Sequence, residues 1–474
     1  MSLDKKWQVF FLVAVSIFMS TLDSSIVNVA LPYMMQALSE DMESIQWVVT
    51  AYLLTVSSLL LTFGRLSDIR GRFFVYRSGF VFFTLGSFLC GISGNVTFLV
   101  MARVIQGMGA SMLMACSPAL IVDVFEPAHR GRALGLVGAC VAAGLTAGPL
   151  AGGILLECFS WRSIFFINIP VGVAALMYAG TVLRDKAGGC GESMDIAGSL
   201  LVIILISSLI IGLTNAGEWG LGSVRTILCW TIGVLSGVGF AVNARKVRYP
   251  LFDLGLFKIR RFILPLAASL VLFAALFSLI FMMPFYLSLA CGLSPARTGL
   301  VMIVPFLFLL LVSPVAGALS DRFGSRILCG AGMFCLALAL VLLGQLSPAQ
   351  EMSGILWRLA LAGVGTSLFI SPNSRVVMGA VPADRRGIAS GAVATARNLG
   401  MVLGVALSSA VFTHSFTALT QGRGLDRYAP EMAPFFMAGF RDAMAAGAVI
   451  AGLGIVVTLA RGSETKQTEK GESL

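Results

Sequence analysis

Charge is what this chain has least of. Only 12% of its 474 residues are Asp, Glu, Lys or Arg, about half the share of an ordinary soluble domain, while 57% are hydrophobic. A water-soluble fold of that composition would have no adequate polar surface, so the chain reads as a membrane protein. Histidine occurs only twice, as His129 and His414. The first falls in a loop and the second near the end of an apolar run, so they cannot ligate a haem between them. No lysine follows a glycine anywhere in the chain, which excludes the G-x-x-x-x-G-K-[ST] phosphate loop and with it a nucleotide-driven pump within this one chain. The nine cysteines form no C-x-x-C pair, which favours buried, reduced packing residues over a disulfide framework or a metal site. No metal and no cofactor are expected.

What the chain does have is long apolar runs. A span needs roughly 20 apolar residues to cross about 30 Å of hydrocarbon, and fourteen such runs are present, the first beginning near Val9 and the last near Asp442. The run after Lys5 and Lys6 lacks an A-x-A-like cleavage site and continues past Asp23 to Pro32, so it is a span rather than a signal peptide. The formal charge of +10 would suggest a nucleic-acid partner in a soluble protein. Here its distribution decides otherwise. With the amino terminus in the cytoplasm, every lysine lies on the cytoplasmic side. Only Arg162, Arg225, Arg297, Arg423, Arg427 and Arg441 fall outside, and Arg103, Arg358 and Arg397 fall within spans, a strong positive-inside bias. A multi-pass protein of the cytoplasmic (inner) membrane with both termini in the cytoplasm is expected, and no nucleic acid.

Two segments share the pattern G-x-L-S-D-x-x-G: Gly64 to Gly71 and Gly317 to Gly324. Pro127-Ala128-His129-Arg130 is echoed by Pro382-Ala383-Asp384-Arg385 at nearly the same offset behind them. Parallel repeats of this kind mark transporters built from two homologous halves. The copies follow spans 2 and 10, eight spans apart where two six-span halves would put them six apart, so two spans are inserted in the middle. The expected organisation is an all-α membrane protein: a six-helix bundle over residues 1–183, linker segments and an inserted helix pair (spans 7 and 8) over 184–261, a second six-helix bundle over 262–461, and a cytoplasmic tail over 462–474.

Span 5 carries Gly135, Gly144, Gly148, Pro149, Gly152 and Gly153. At 3.6 residues per turn Gly144, Gly148 and Gly152 share one face, where missing side chains let another helix approach closely, and Pro149 removes a backbone donor. Asp23 lies about 22 Å into span 1 at 1.5 Å per residue. A carboxylate at that depth costs a few kcal/mol, so it must be neutral, paired or facing a water-filled cavity. Its bland alternative is a structural acid bonded to nearby backbone or to Ser24, Ser25 and Asn28. Arg103 in span 4 carries the same cost, unless it snorkels to the interface. Asp68, among Arg65, Arg70 and Arg72, reads as one half of a charged latch between the halves, because the second copy repeats the acid as Asp321. Phe273, Phe277 and Phe281 recur every four residues in span 9 and lead into Met282, Met283, Phe285 and Tyr286, a pattern that suits either an adaptable aromatic substrate wall or a lipid-facing surface. Asn28, Gln106, Asn373 and Asn398 are candidate polar contacts near the midplane.

The segment Gly64-x-Leu66-Ser67-Asp68-x-x-Gly71-Arg72 resembles the loop 2–3 motif of the major facilitator superfamily, with Phe73 where a basic residue is usual. Leu22-Asp23-Ser24-Ser25-Ile26-Val27-Asn28-Val29-Ala30-Leu31-Pro32 is similar to the first-span motif of its fourteen-span drug:proton antiporter branch. Arg103-x-x-Gln106-Gly107-x-Gly109 resembles the fourth-span motif, the span 5 glycines the antiporter motif, and Trp161-Arg162-x-Ile164-Phe165-x-Ile167-Asn168-x-Pro170-x-Gly172 a further signature of the branch. The resemblance implies a secondary transporter, not an enzyme, that exports amphipathic compounds in exchange for protons. Asp23 would then be the proton carrier, Arg103 would be linked to coupling, and the two loop motifs and the glycines of span 5 would serve the conformational cycle. The implied partners are a small amphipathic substrate, protons and the lipid bilayer, with a periplasmic adaptor and an outer-membrane channel as further candidates. Symport or export of one specific metabolite is the alternative, and a channel or respiratory subunit a more distant one.

Overall fold

The computed structural model describes residues 4–183, 194–220, 222–249, 251, 254–381 and 386–461. The loop at 184–193, the second echo at 382–385 and the tail at 462–474 lie outside them, as does the side chain of Asp321. Among the described residues there is no strand, and 14 helical segments are long and apolar enough to cross a membrane. In hydrocarbon only a helix or a closed barrel satisfies its own backbone polar groups, and these runs have helical rather than strand length. They are Lys5–Leu38, Met42–Arg70, Arg72–Gly91, Val96–Val124, His129–Cys158, Ser163–Val182, Ile196–Thr214, Val224–Lys246, Arg260–Ala290, Pro295–Ser320, Ser325–Leu343, Met352–Gly379, Ala389–Leu419 and Pro430–Leu459, numbered here as spans 1 to 14. An even number of crossings returns the chain to the face it started from. That end of the molecule, carrying Asp4 and Arg461, is called the terminal face.

The duplication written in the sequence is repeated in the packing. In the first half the most extensive contacts join spans 1 and 5, 3 and 4, and 2 and 4; in the second they join 9 and 13, 11 and 12, and 10 and 12. Each pair is shifted by the same eight spans. The two loop motifs also match in backbone: Gly71 has φ 96° and Gly324 φ 82°, a left-handed region that costs a residue with a Cβ. Glycine at both ends of the repeat is therefore a backbone requirement.

The halves meet through spans 5 and 10, 2 and 13, and 1 and 9. Spans 7 and 8 pack on each other, and span 7 also rests on spans 2 and 13. Span 8 turns Val224, Val234, Leu235 and Val238 outward, as a helix bordering lipid does. The glycine face of span 5 finds its partner in span 1. A Cβ at Gly144 would collide with Thr21, one at Gly148 with Ser25, and one at Gly152 would lie 2.8 Å from Ile26 Cγ1. The face that sequence spacing picked out is thus a contact inside the first half. Gly153, one position round the helix, meets the other half, where its Cβ would lie 2.6 Å from the Pro295 carbonyl, and Gly299 of span 10 packs against Pro149 and Gly153 in return.

Candidate functional site

Arg103 and Gln106 stand three residues apart on span 4 and so project from one face. Ser87 and Cys90 do the same on span 3. Span 6 begins with a short turn, Ser163–Phe166, before its main helix, Asn168–Val182, and this break turns Asn168 inward. Arg103, Gln106 and Asn168 converge on Asp23, with Ser87 and Cys90 behind Gln106. Arg103 Nη1 donates to Asp23 Oδ2 at 2.6 Å, Gln106 Nε2 to Oδ1 at 2.8 Å, and Asn168 Nδ2 to Oδ1 at 3.0 Å. Arg103 Nη1 also meets Gln106 Oε1 at 2.6 Å, and its Nε reaches the Val48 carbonyl at 2.9 Å. Gln106 Nε2 extends the chain to Ser87 Oγ at 2.7 Å.

Asp23, Arg103 and Gln106 have no solvent exposure and Asn168 has 2%. Two opposite charges taken together out of water survive only if good geometry and further hydrogen bonds offset their desolvation. Here the carboxylate accepts three such bonds. The arginine adds a cation–π contact, its guanidinium lying 4.1 Å from the Tyr52 ring centroid and 5.8 Å from that of Phe165. Asp23 therefore has none of the local partners Ser24, Ser25 or Asn28, and Arg103 does not snorkel to the interface. The motif from Trp161 to Gly172 contains Asn168 but by itself gives it no role. Its place in the network, like that of Tyr52, depends on how spans meet.

A cavity of about 390 Å³ lies between the halves. Its lining comes from the terminal-face halves and middles of spans 5, 9, 10, 12 and 13, including Gly135, Phe273, Leu276, Phe277, Phe306 and Arg397. A narrow crevice lined by Ser20, Ser24, Tyr52, Val141, Arg397 and Asn398 lies between it and span 1, sharing Val141, Leu145 and Arg397 with its wall. No residue of spans 7 or 8 lines either space. At the other face the halves are closed. Glu157, at the end of span 5, accepts from Ala296 N at 2.8 Å and from Ser294 Oγ at 3.0 Å, capping the first turn of span 10, and Tyr33 Oη donates to the Leu293 carbonyl at 3.5 Å.

Of the other candidate contacts, only some reach these spaces. Phe277 and Asn398 do. Met283 and Tyr286 are buried away from the cavity: Tyr286 Oη donates to the Ser347 carbonyl at 2.8 Å, and its ring stacks on Phe440 with centroids 5.1 Å apart. A four-residue period identifies a face of span 9 but not what the face meets. Asn373 bonds Ser269 Oγ at 2.7 Å and the Pro265 carbonyl at 3.1 Å, and Arg461 donates to it. Asn28 donates to the Ser24 carbonyl at 2.8 Å within its own helix. Around the first loop motif, Arg72 pairs with Asp68 at 3.4 Å and with Asp123 of span 4, and donates to the Ala119 carbonyl at 3.2 Å. Asp68 is thus tied within its own half. Gly64 leaves open space where a Cβ would sit.

A duplicated helical assembly that closes at one face around a central cavity, with a charge pair buried beside it, is the architecture of a membrane transporter. The chain belongs to the Major Facilitator Superfamily, whose family model matches residues 13–405. It is 35% identical to the riboflavin transporter RibZ of Clostridioides difficile over 88% of this chain and 90% of that protein. It is 33% identical to the multidrug resistance protein Stp of Mycobacterium tuberculosis, covering 88% and 77%, and 31% identical to the tetracenomycin C resistance and export protein of Streptomyces glaucescens, covering 94% and 83%. Among solved structures it shares its fold with a bacterial homolog of the human lysosomal transporter Spinster, with a TM-score of 0.69 at 14% identity over 97% and 98% of the two chains. It also shares it with a D-xylose-proton symporter, at a TM-score of 0.63 and 14% identity over 94% and 97%.

Proposed function

We propose that this transporter exports small amphipathic compounds in exchange for protons, with Asp23 as the proton carrier and Arg103 as the group that senses its charge. One observation supports the reading above all others: the buried network in which Arg103, Gln106 and Asn168 all bond to the Asp23 carboxylate. A pair buried this way has two states of very different energy. Ionised, Asp23 holds Arg103; protonated, it leaves an uncompensated cation whose burial is strongly unfavourable. Proton arrival therefore drives rearrangement of spans 1 and 4, and the cavity changes the face to which it opens while the two halves rock about it. The terminal face is cytoplasmic in this reading, in keeping with the lysine distribution, and the membrane is the cytoplasmic one. A proton entering down a membrane potential contributes about 2.3 kcal/mol per 100 mV. The names of the multidrug resistance protein and of the tetracenomycin C resistance and export protein are in line with such a substrate class.

The test is transport in proteoliposomes across an imposed pH gradient. Substrate should move against the proton flow, and Asp23→Asn should abolish the movement while the protein remains folded. Movement of substrate with the proton flow would replace export by symport, and unimpaired gradient-driven transport by the variant would remove Asp23 from the coupling.

A further inference from the structure

Arg103 shows how completely this fold satisfies a buried arginine; Arg397 shows the reverse. Arg397 lies on span 13 and lines both the central cavity and the crevice that leads toward span 1. Among the described residues it makes no ion pair and no hydrogen bond, and its Nε is buried without an acceptor. The next residue, Asn398, has its Nδ2 buried without an acceptor as well. Among the described residues no Asp or Glu lines either space. A half-buried cation facing no counter-charge is unfavourable, and two adjacent side chains with donors that lack acceptors, Arg397 on the cavity and crevice and Asn398 on the crevice, leave room for an acceptor that is not part of the chain.

We propose that Arg397 and Asn398 form an anion subsite, and that the substrates of this transporter are amphipathic molecules bearing a carboxylate or a comparable acidic group. The proposal rests on the reading of the chain as an exporter of amphipathic compounds and names their charge. The acidic group meets the Arg397 guanidinium, whose fork suits a carboxylate bidentately, and accepts a further bond from Asn398. The apolar body lies against Phe273, Leu276, Phe277 and Phe306, in a cavity of about 390 Å³, within the size range of small-molecule sites. The crevice also joins this subsite to the proton network. Tyr52 and Arg397 both line it, and the Tyr52 ring lies 4.1 Å from the Arg103 guanidinium. Tyr52 thus stands at the crevice and at the Asp23–Arg103 pair at once.

Equilibrium binding without any pH gradient tests this separately from coupling. Purified protein in lipid nanodiscs is titrated with 1-naphthylacetate, its uncharged amide and 1-naphthylmethylammonium. The wild type should bind the carboxylate about tenfold or more tightly than the amide, as a charge-assisted pair requires, and the ammonium weakest of all. Arg397→Gln should erase the difference between carboxylate and amide while leaving amide binding within about twofold. Arg397→Lys, which keeps the charge but loses the fork, should retain part of the preference and provides the same test if the glutamine variant does not fold. Asp23→Asn should lose gradient-driven transport yet keep the carboxylate preference. A wild type that binds the carboxylate no better than the amide overturns the anion subsite and leaves proton-coupled export standing, as does an Arg397→Gln protein with the preference intact. If the preference holds while Asp23→Asn still transports normally, the coupling scheme fails and the subsite survives.

Discussion

Arg103 donates to Asp23 at 2.6 Å across 80 positions of sequence, with neither side chain exposed to solvent. The pair ties span 4 to span 1, and Gln106 and Asn168 hold the same carboxylate from spans 4 and 6. Such a junction either holds or breaks; it does not stretch. The first expectations concern what happens when one member is removed.

Asp23→Asn should reduce gradient-driven transport by at least about a hundredfold, because an amide carries no proton and offers Arg103 no charge. Transport rates in proteoliposomes at equal protein density, with size-exclusion profiles to establish folding, provide the measurement.

Removing either charge should also cost stability, since each leaves the other buried and uncompensated. Arg103→Ala leaves Asp23 buried without its counter-charge, a loss of about 3 to 5 kcal/mol, whereas Asn168→Ala removes one bond to a charged group and should cost about 1.5 to 3 kcal/mol. Thermal unfolding in detergent should rank the variants in that order. In the double variant Asp23→Asn/Arg103→Ala the combined loss should be less than the sum of the two single losses; strict additivity would mean the two side chains do not interact.

The two glycine contacts of span 5 should separate stability from the transport cycle. Gly148 faces Ser25 within the first half, so Gly148→Leu should lower yield and melting temperature. Gly153 faces Pro295 across the halves, so Gly153→Leu should instead prop the closed face apart. Alkylation of a cysteine at Tyr33, in a cysteine-free background, should then be several times faster than in the parent. Equal rates would show that the Gly153 contact does not hold the face shut.

Glu157 caps span 10 from the opposite half through Ser294 and Ala296. Glu157→Ala should weaken the same closure and raise alkylation at Tyr33 about as much as Gly153→Leu does, with little loss of thermal stability because the bonds are exposed. An unchanged alkylation rate would show that the cap follows closure rather than maintaining it.

Cysteines placed along spans 7 and 8, for example at Leu209 or Ile232, should show no protection by substrate from a small water-soluble thiol reagent, since neither span lines the cavity or the crevice. A cysteine at Phe277 should be protected. Protection at several positions of the inserted pair would bring the substrate pathway to the far side of span 2.

Much of this molecule was legible in the sequence because insertion into a membrane is a local property. Each apolar run satisfies its own backbone in a helix wherever its neighbours lie, so the spans, the duplicated loop and the eight-span offset could be read directly. Asp23 and Arg103 stood out for the same reason, each being costly within its own span. Which face of a helix meets which partner is a different kind of fact. It is decided by packing between segments distant in sequence, and the single-helix patterns misled wherever that mattered. Gly148 meets span 1 while Gly153 carries the contact between the halves. Phe277 turns to the cavity while Met283 and Tyr286, about two to three turns on, are buried away from it. Arg397 counted in the sequence only as one more arginine within a span. That no acid among the described residues lines the cavity opposite it could be seen only once spans 5, 9, 10, 12 and 13 were assembled around that space, because a missing counter-charge is a property of the surroundings and no single helix contains it.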